Sequence, residues 1–237
     1  MLAPFNLQAD FDNSGLLIGA SDQPVKSILL ALDITSEVVE EAVNLGVQLI
    51  ISHHPVIFKP LKHIETNSPV DMLIKSGIGA LCAHTNLDFA EHNTSVCLCN
   101  KLGIKIREKF ELCGVIGEFD IEITTKKFIE IIKNMLNCQS FRYTDSGNLI
   151  KNVAIVAGAG GDYINYILKK DVQAFITGEI KHNKILEANS AGIMIFELGH
   201  YVSENVIMSY LYEILKNKFS NLDIIMSSVV SDKIFYA

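Results

Sequence analysis

Two stretches of this chain run through one order of segments: strand, helix, strand, helix, strand, helix. A repeat of that kind leaves few folds open, because strands that alternate with helices build parallel sheets covered on their faces. In the first stretch, residues 27–32 (SILLAL) form an apolar run without alternation, as in a strand buried on both faces. Ser36 is placed to cap a helix over 37–45, and Gly46 to close it. Residues 47–51 (VQLII) form the next strand, which runs directly into Ser52-His53-His54-Pro55. A loop over 58–68 leads to a helix near 69–76, closed by Gly77. The strand 78–83 ends at His84-Thr85-Asn86-Leu87-Asp88, and a helix over 94–102 stops at Gly103.

The second stretch begins with a strand over 153–157 and the turn Gly158-Ala159-Gly160-Gly161. A helix is expected over 163–169. A strand over 172–176 then ends at Thr177-Gly178-Glu179. A helix near 184–190 is closed by Gly192, and the strand 193–198 ends at Gly199-His200. A long helix is expected over 203–218. Residues 116–123 and the helical 125–136 read as a connecting segment between the halves. The expected fold class is α/β, with two similar lobes over 1–110 and 111–237, interleaved as one structural unit.

In open parallel sheets, ligands bind outside the carboxyl ends of the strands. The polar residues at those ends are His53, His54, His84 and Asp88 in the first half, and Glu179, His200 and Glu204 in the second. The phrase His-x3-acid closes both third strands, as His84-x3-Asp88 and His200-x3-Glu204. If the halves face each other, these groups converge on one cleft. Imidazole and carboxylate together suit zinc, iron, manganese or nickel. Neighbouring residues on an extended chain point to opposite sides, so His53 and His54 serve two ions better than one. Asp88 or Glu204 can bridge such ions. A pair of ions roughly 3.5–4 Å apart suits hydrolysis of phosphoester or amide-type bonds.

A lone histidine in a loop is more often a hydrogen-bonding residue than a ligand. Four of the seven histidines stand at strand ends, and that clustering favours a metal site. His63 and His92 keep the ordinary reading, while His182 is open to a supporting or substrate-contact role. The turn at Gly158 resembles a phosphate cradle, but Tyr163 stands where a third glycine belongs and no Lys-Ser/Thr ending comes after it. A tight turn beside the site is the plainer alternative.

Several phrases together resemble the YbgI-like dinuclear metal-centre proteins, also called Nif-three-like and labelled homologues of type 2 GTP cyclohydrolase 1. They are Asp12-Asn13-Ser14-Gly15-Leu16-Leu17-Ile18-Gly19, Leu32-Asp33-Ile34-Thr35, Ser52-His53-His54-Pro55-Val56-Ile57-Phe58 and His84-Thr85-Asn86-Leu87-Asp88. Thr177-Gly178-Glu179-Ile180-Lys181-His182 and Gly199-His200-Tyr201-Val202-Ser203-Glu204 complete the set. The resemblance implies two α/β lobes packed face to face, with a dinuclear metal site between them at the strand C-terminal ends. Its implied ligands are His53, His54, Asp88, His200 and Glu204, with His84 a catalytic or supporting neighbour. Two divalent ions per chain are implied (zinc, iron, manganese or nickel), as is a homohexameric ring built as a trimer of dimers. The implied activity is metal-dependent hydrolysis of a small nucleotide-like or phosphorylated substrate. The alternative is a non-enzymatic ring that carries metal or scaffolds other proteins. The stretch 105–149 leaves no room for the large domain that some relatives insert. Where relatives continue with a proline-glycine-glycine turn, this chain has Phe89-Ala90-Glu91-His92-Asn93-Thr94.

Composition narrows the remaining classes. Of 237 residues, 49% are hydrophobic, which supplies a sizeable core. Twenty basic against 27 acidic residues give a charge of −7, which argues against nucleic acid or an anionic membrane as partner. No leader pattern stands at the N-terminus, and the five cysteines fit no zinc motif. A cytoplasmic protein with reduced thiols is the expectation.

Overall fold

The computed structural model describes residues 2–234 and divides into two compact units. Among the described residues, unit 1 comprises 2–91 and 208–234, and unit 2 comprises 92–207. In unit 1 the chain forms β1 (Gly15–Ile18), β2 (Ser27–Ala31), α1 (Ser36–Leu45), β3 (Leu49–Ser52), α2 (Pro69–Ser76), β4 (Gly79–Cys82) and α3 (Thr85–Asp88). The helices start and stop where side chains satisfy their free ends. Thr35, one residue before the expected cap, accepts from the Val38 N–H at the start of α1, and Ser68 accepts from the Asp71 N–H at the start of α2. Gly46 and Gly77 close these helices at φ +66° and +67°, where a Cβ would be strained.

The sheet of unit 1 has the order β1-β4-β3-β2 and then the C-terminal strand Asp223–Met226. β2, β3, β4 and the C-terminal strand run parallel, and β1 pairs antiparallel with β4 at one edge. Leu29, Ala31, Ile50 and Ala80 of the sheet pack with Val38, Val39 and Ala42 of α1 and Leu73 of α2. The segment after the C-terminal strand is tied to α1. Ser227 and Ser228 donate their hydroxyls to Glu41 at 2.5 Å, and the Ser228 N–H donates at 2.8 Å. Burial opposes the charged form of Glu41, but these bonds outweigh it and hold its carboxyl below the ordinary value. A lowered carboxyl contributes stability above its unfolded value and loses it as pH falls through the folded one. Glu41→Ala should therefore lose about 1–2 kcal/mol at pH 7. Urea unfolding in chelator should show that difference narrowing below roughly pH 4. A loss that stays constant with pH would show that the carboxylate is not the anchor.

Unit 2 continues with α4 (Thr94–Lys101), β5 (Lys105–Phe110), β6 (Gly114–Ile123), α5 (Thr125–Leu136), β7 (Arg142–Tyr143) and β8 (Ile150–Val156). After a short 3-10 turn come α6 (Ile164–Ile167), β9 (Ala174–Thr177), α7 (His182–Ser190), β10 (Met194–Glu197) and α8 (His200–Glu204). The chain then passes through α9 (Val206–Lys218) to the C-terminal strand, β11. The six-stranded sheet has the order β5-β6-β8-β9-β10-β7. β8, β9 and β10 are parallel, while β5, β6 and β7 make antiparallel pairs. On β8, Val153 and Ile155 enter one core with Phe128, Ile132 and Phe196. Their neighbours Ala154 and Val156 enter another with Ile164, Ile167 and Phe175. A strand buried on both faces is written as a continuous apolar run, which is the pattern of this segment.

The repeat is real at the level of the parallel triads, β2-β3-β4 and β8-β9-β10. The expected lobe boundaries are not those of the sheets. β5, placed in the first lobe by a division at 110, pairs with β6 of unit 2, and β11, placed in the second, pairs with β2 of unit 1. The helix expected over 163–169 is a 3-10 turn leading into the four residues of α6, and the helix expected from 203 begins at His200 and breaks at Asn205. No helix among the described residues is long and apolar enough to cross a membrane.

Candidate metal centre

In unit 1 the strand register sets the site. Ala31 pairs with Ser52, and Ser52 with Cys82, so β2, β3 and β4 end level with one another. Residues just past the three strand ends therefore emerge at one sheet edge: Asp33 after β2, His53 and His54 after β3, His84 after β4. The His54 N–H donates to the Leu32 carbonyl at 2.9 Å, and the Ala83 N–H to the Ser52 carbonyl at 2.9 Å, which carries the pairing past the strands.

Each imidazole is oriented through Nδ1. His53, fully buried, has Nδ1 2.8 Å from the Ala83 carbonyl, which can only accept. The proton is therefore on Nδ1, and in the neutral ring the lone pair is on Nε2. His54 Nδ1 lies 2.6 Å from Asp33 Oδ1, whose other oxygen accepts from the Ser231 hydroxyl at 2.5 Å. His84 Nδ1 lies 2.7 Å from Asp12 Oδ1. The three rings stand 5.1, 5.3 and 5.6 Å apart between centroids. One ligand atom from each lies within 4.8 Å of the others. Asp88 Oδ1 faces His53 Nε2 at 3.7 Å. Donors at about 2.0–2.2 Å from one ion stand roughly 3–4 Å apart, so the His53–Asp88 spacing suits a shared ion.

Asp12 is the most constrained carboxylate here. Its side chain has no exposed surface. It accepts from the Thr85 hydroxyl at 2.5 Å, the Thr85 N–H at 3.0 Å and the Ser14 hydroxyl at 2.9 Å. Burial opposes its charge, but the bonds from Thr85 and His84 and the Asn13 backbone hold its carboxyl well below the usual range. Cys82, whose thiol donates to the His53 carbonyl at 3.0 Å, is pushed far up by burial and by the neighbouring Asp12 and Asp88 charges. Burial raises Cys97 and Cys99 to about 12, so these thiols stay protonated and are poor ligands.

Unit 2 repeats the edge geometry. Val156, Thr177 and Glu197 are in register, so Gly158, Glu179 and His200 come just after strands that end level. Gly199 at φ +88° turns the chain into α8. There the spacing of four puts His200 and Glu204 on one helix face. His200 Nε2 lies 3.0 Å from Glu204 Oε2, and its Nδ1 3.1 Å from Glu179 Oε1. Ser203 braces the turn: its hydroxyl accepts from the Gly158 N–H at 3.0 Å and donates to the His200 carbonyl at 2.8 Å. A Cβ on Gly158, which has φ +65°, would stand 2.0 Å from Glu204 Oε1.

The glycine turn is thus a fitted part of the carboxylate's surroundings. Gly160 and Gly161 are buried, with added Cβ atoms 2.6 Å from Thr177 Oγ1 and 3.1 Å from Ile180 Cα. The Gly158 carbonyl accepts from the N–H groups of Gly160, Gly178 and Glu179. That packing favours the tight turn over the phosphate cradle.

The His-x3-acid phrase serves different geometry in the two units. In α8 the pair is in contact, whereas His84 stands just before α3 with its ring turned to Asp12, and Asp88 turns toward His53. The variant turn after Asp88 supplies the next helix: Asn93 accepts from the Val96 N–H at 2.8 Å and caps α4. His182, exposed, opens α7. Asp12 and Asp33 were not singled out from sequence, although both lie inside the phrases that carried the resemblance.

Residues 1–233 match the family Duf34/NIF3 (NGG1p interacting factor 3). The chain belongs to this family. A Clostridium perfringens relative, named GTP cyclohydrolase 1 type 2 homolog, is 32% identical over 245 residues, covering 98% of this chain and 94% of that protein. A Campylobacter jejuni relative with the same name is 37% identical over 223 residues, covering 91% and 88%. The crystal structure of a Staphylococcus aureus hypothetical protein superposes with a TM-score of 0.92 at 30% identity, covering 100% of this chain and 95% of that one. Family members thus share this mixed α/β fold of two sheets, and in this chain its strand ends carry histidine and glutamate groups that can hold metal.

Proposed function

We propose that His53, His54, Asp88, His200 and Glu204 together hold two divalent metal ions at a site shared by the two units. In this reading the protein is a metal-dependent hydrolase of a small nucleotide-like or phosphorylated molecule, working as a homohexamer. One observation carries it: the three proposed ligand imidazoles present Nδ1 to an oxygen, from Ala83, Asp33 and Glu179. Histidines that ligate metal show this outer bond, which fixes the ring and raises the basicity of Nε2. Bound ions supply Lewis acidity and lower the pKa of water. The donor set accepts zinc, iron, manganese or nickel.

The chain's own residues have separable tasks. The buried His53 and Glu204 exclude water from the ligand shell. His84 is the catalytic residue: with its Nδ1 proton held by Asp12, its Nε2 takes a proton from the attacking water and returns it to the leaving group. Metal-loaded protein screened against GTP, phosphoesters and cyclic amides should turn over one class. His53→Ala should abolish that turnover together with metal, and His84→Ala should lower it roughly 100-fold with metal retained. Equal turnover in wild type and His53→Ala overturns the hydrolase. Tight metal binding with no turnover on any class supports the metal-carrying alternative.

A further inference from the structure

The loop between β3 and α2 has no regular structure, yet its first part is anchored. Pro55 and Pro60 restrict its backbone. The Ser52 hydroxyl donates to the His54 carbonyl at 2.7 Å, and the Asn13 side-chain amide donates to the Ile57 carbonyl at 2.6 Å. That second bond fixes the residue next to Phe58. The Phe58 ring centroid stands 6.2 Å from that of His84, with the two ring planes at 83°. Perpendicular packing of this kind leaves the rings unstacked, and Phe58 stays 42% exposed. A large apolar ring is thus presented to solvent beside the imidazole that points through Nδ1 to Asp12. Phenylalanine has no donor or acceptor, so in this position it selects by shape and π-surface alone. A flat heterocycle laid on the ring would bury apolar surface on both partners, whereas a sugar or a phosphate would gain nothing comparable.

We infer that Phe58 is a specificity-determining residue: its exposed ring stacks against a nucleobase-like heterocycle of the substrate, beside the His84 imidazole. The inference rests on the hydrolase reading for the place of the reacting bond, while stacking on Phe58 needs neither metal nor turnover. The test compares guanosine and adenosine with ribose 5-phosphate, which keeps a sugar and a phosphate and lacks the base. Full-length protein, once in chelator and once zinc-loaded, is titrated with each and followed by backbone amide NMR. Both nucleosides should bind in both states, with shifts centred on Ile57, Phe58 and His84. In chelator, ribose 5-phosphate should leave those residues unmoved. Phe58→Ala should weaken nucleoside binding about tenfold and keep the wild-type metal content. Phe58→Trp should restore the affinity. Because the chain has no other tryptophan, the fluorescence of that variant should be quenched by the nucleosides. Phe219 is also exposed and precedes β11, at the opposite end of the parallel strands, so Phe219→Ala should bind within about twofold of wild type. Equal nucleoside affinity in Phe58→Ala and wild type, an unquenched Phe58→Trp, or a wild type that binds no nucleoside would overturn the inference. Loss of metal from Phe58→Ala would overturn it as well, by making Phe58 a support of the metal site. A wild type that binds nucleosides in chelator but takes up no metal would refute the metal centre and leave the role of Phe58 standing, so the two failures are distinct.

Discussion

Asp12→Ala is expected to lose about 3–5 kcal/mol of folding stability at pH 7, measured by urea unfolding in chelator so that metal does not contribute. The side chain has no exposed surface, and its removal strands the Thr85 hydroxyl and N–H, the Ser14 hydroxyl and the His84 Nδ1–H. Bonds to a charged acceptor are worth about 1.5–3 kcal/mol each, and stranded buried donors add their desolvation. Asp12→Asn keeps the shape and loses the charge, so its loss should be smaller, about 1–3 kcal/mol. A loss under about 1 kcal/mol for alanine would show that the cluster rearranges and that Asp12 does not fix His84.

The second large effect is at Gly158. Gly158→Ala should lose about 2–4 kcal/mol, because the added Cβ both strains a left-handed backbone and collides with the Glu204 carboxylate. Gly103 separates the two causes. It lies in the same unit at φ +70°, and a Cβ there meets nothing within 4 Å. Gly103→Ala should lose only the conformational part, about 1 kcal/mol. The excess at Gly158 then reports displacement of Glu204, and that variant alone should also bind metal more weakly. Equal losses at both glycines would mean that Glu204 moves aside freely.

The parallel triads were legible because strands buried on both faces are written as unbroken apolar runs, and because Gly46 and Gly77 mark helix ends by their left-handed backbone. The ligand candidates were legible for a related reason: strands in register deliver the residues just past their ends to one edge. Short elements carried too little pattern. β1, β7, α3 and α8 span two to five residues, fewer than periodicity needs to distinguish a face. The boundary between units was hidden because β11 returns across the whole chain to pair with β2, and no local signal records that. Asp12 and Asp33 lacked a local signal as well. Their partners, His84 and His54, stand 72 and 21 residues away, so their roles appear only once the strands are aligned.

The most direct test of the proposed dinuclear centre is elemental analysis of anaerobically purified protein, for wild type, His53→Ala and His200→Ala. About two ions per chain are expected in wild type, with each substitution removing at least one. Zinc should raise the melting temperature of the wild type and do so less in either variant. Full metal content retained in both variants, or a metal-free wild type whose melting is unmoved by zinc, would contradict the proposed centre.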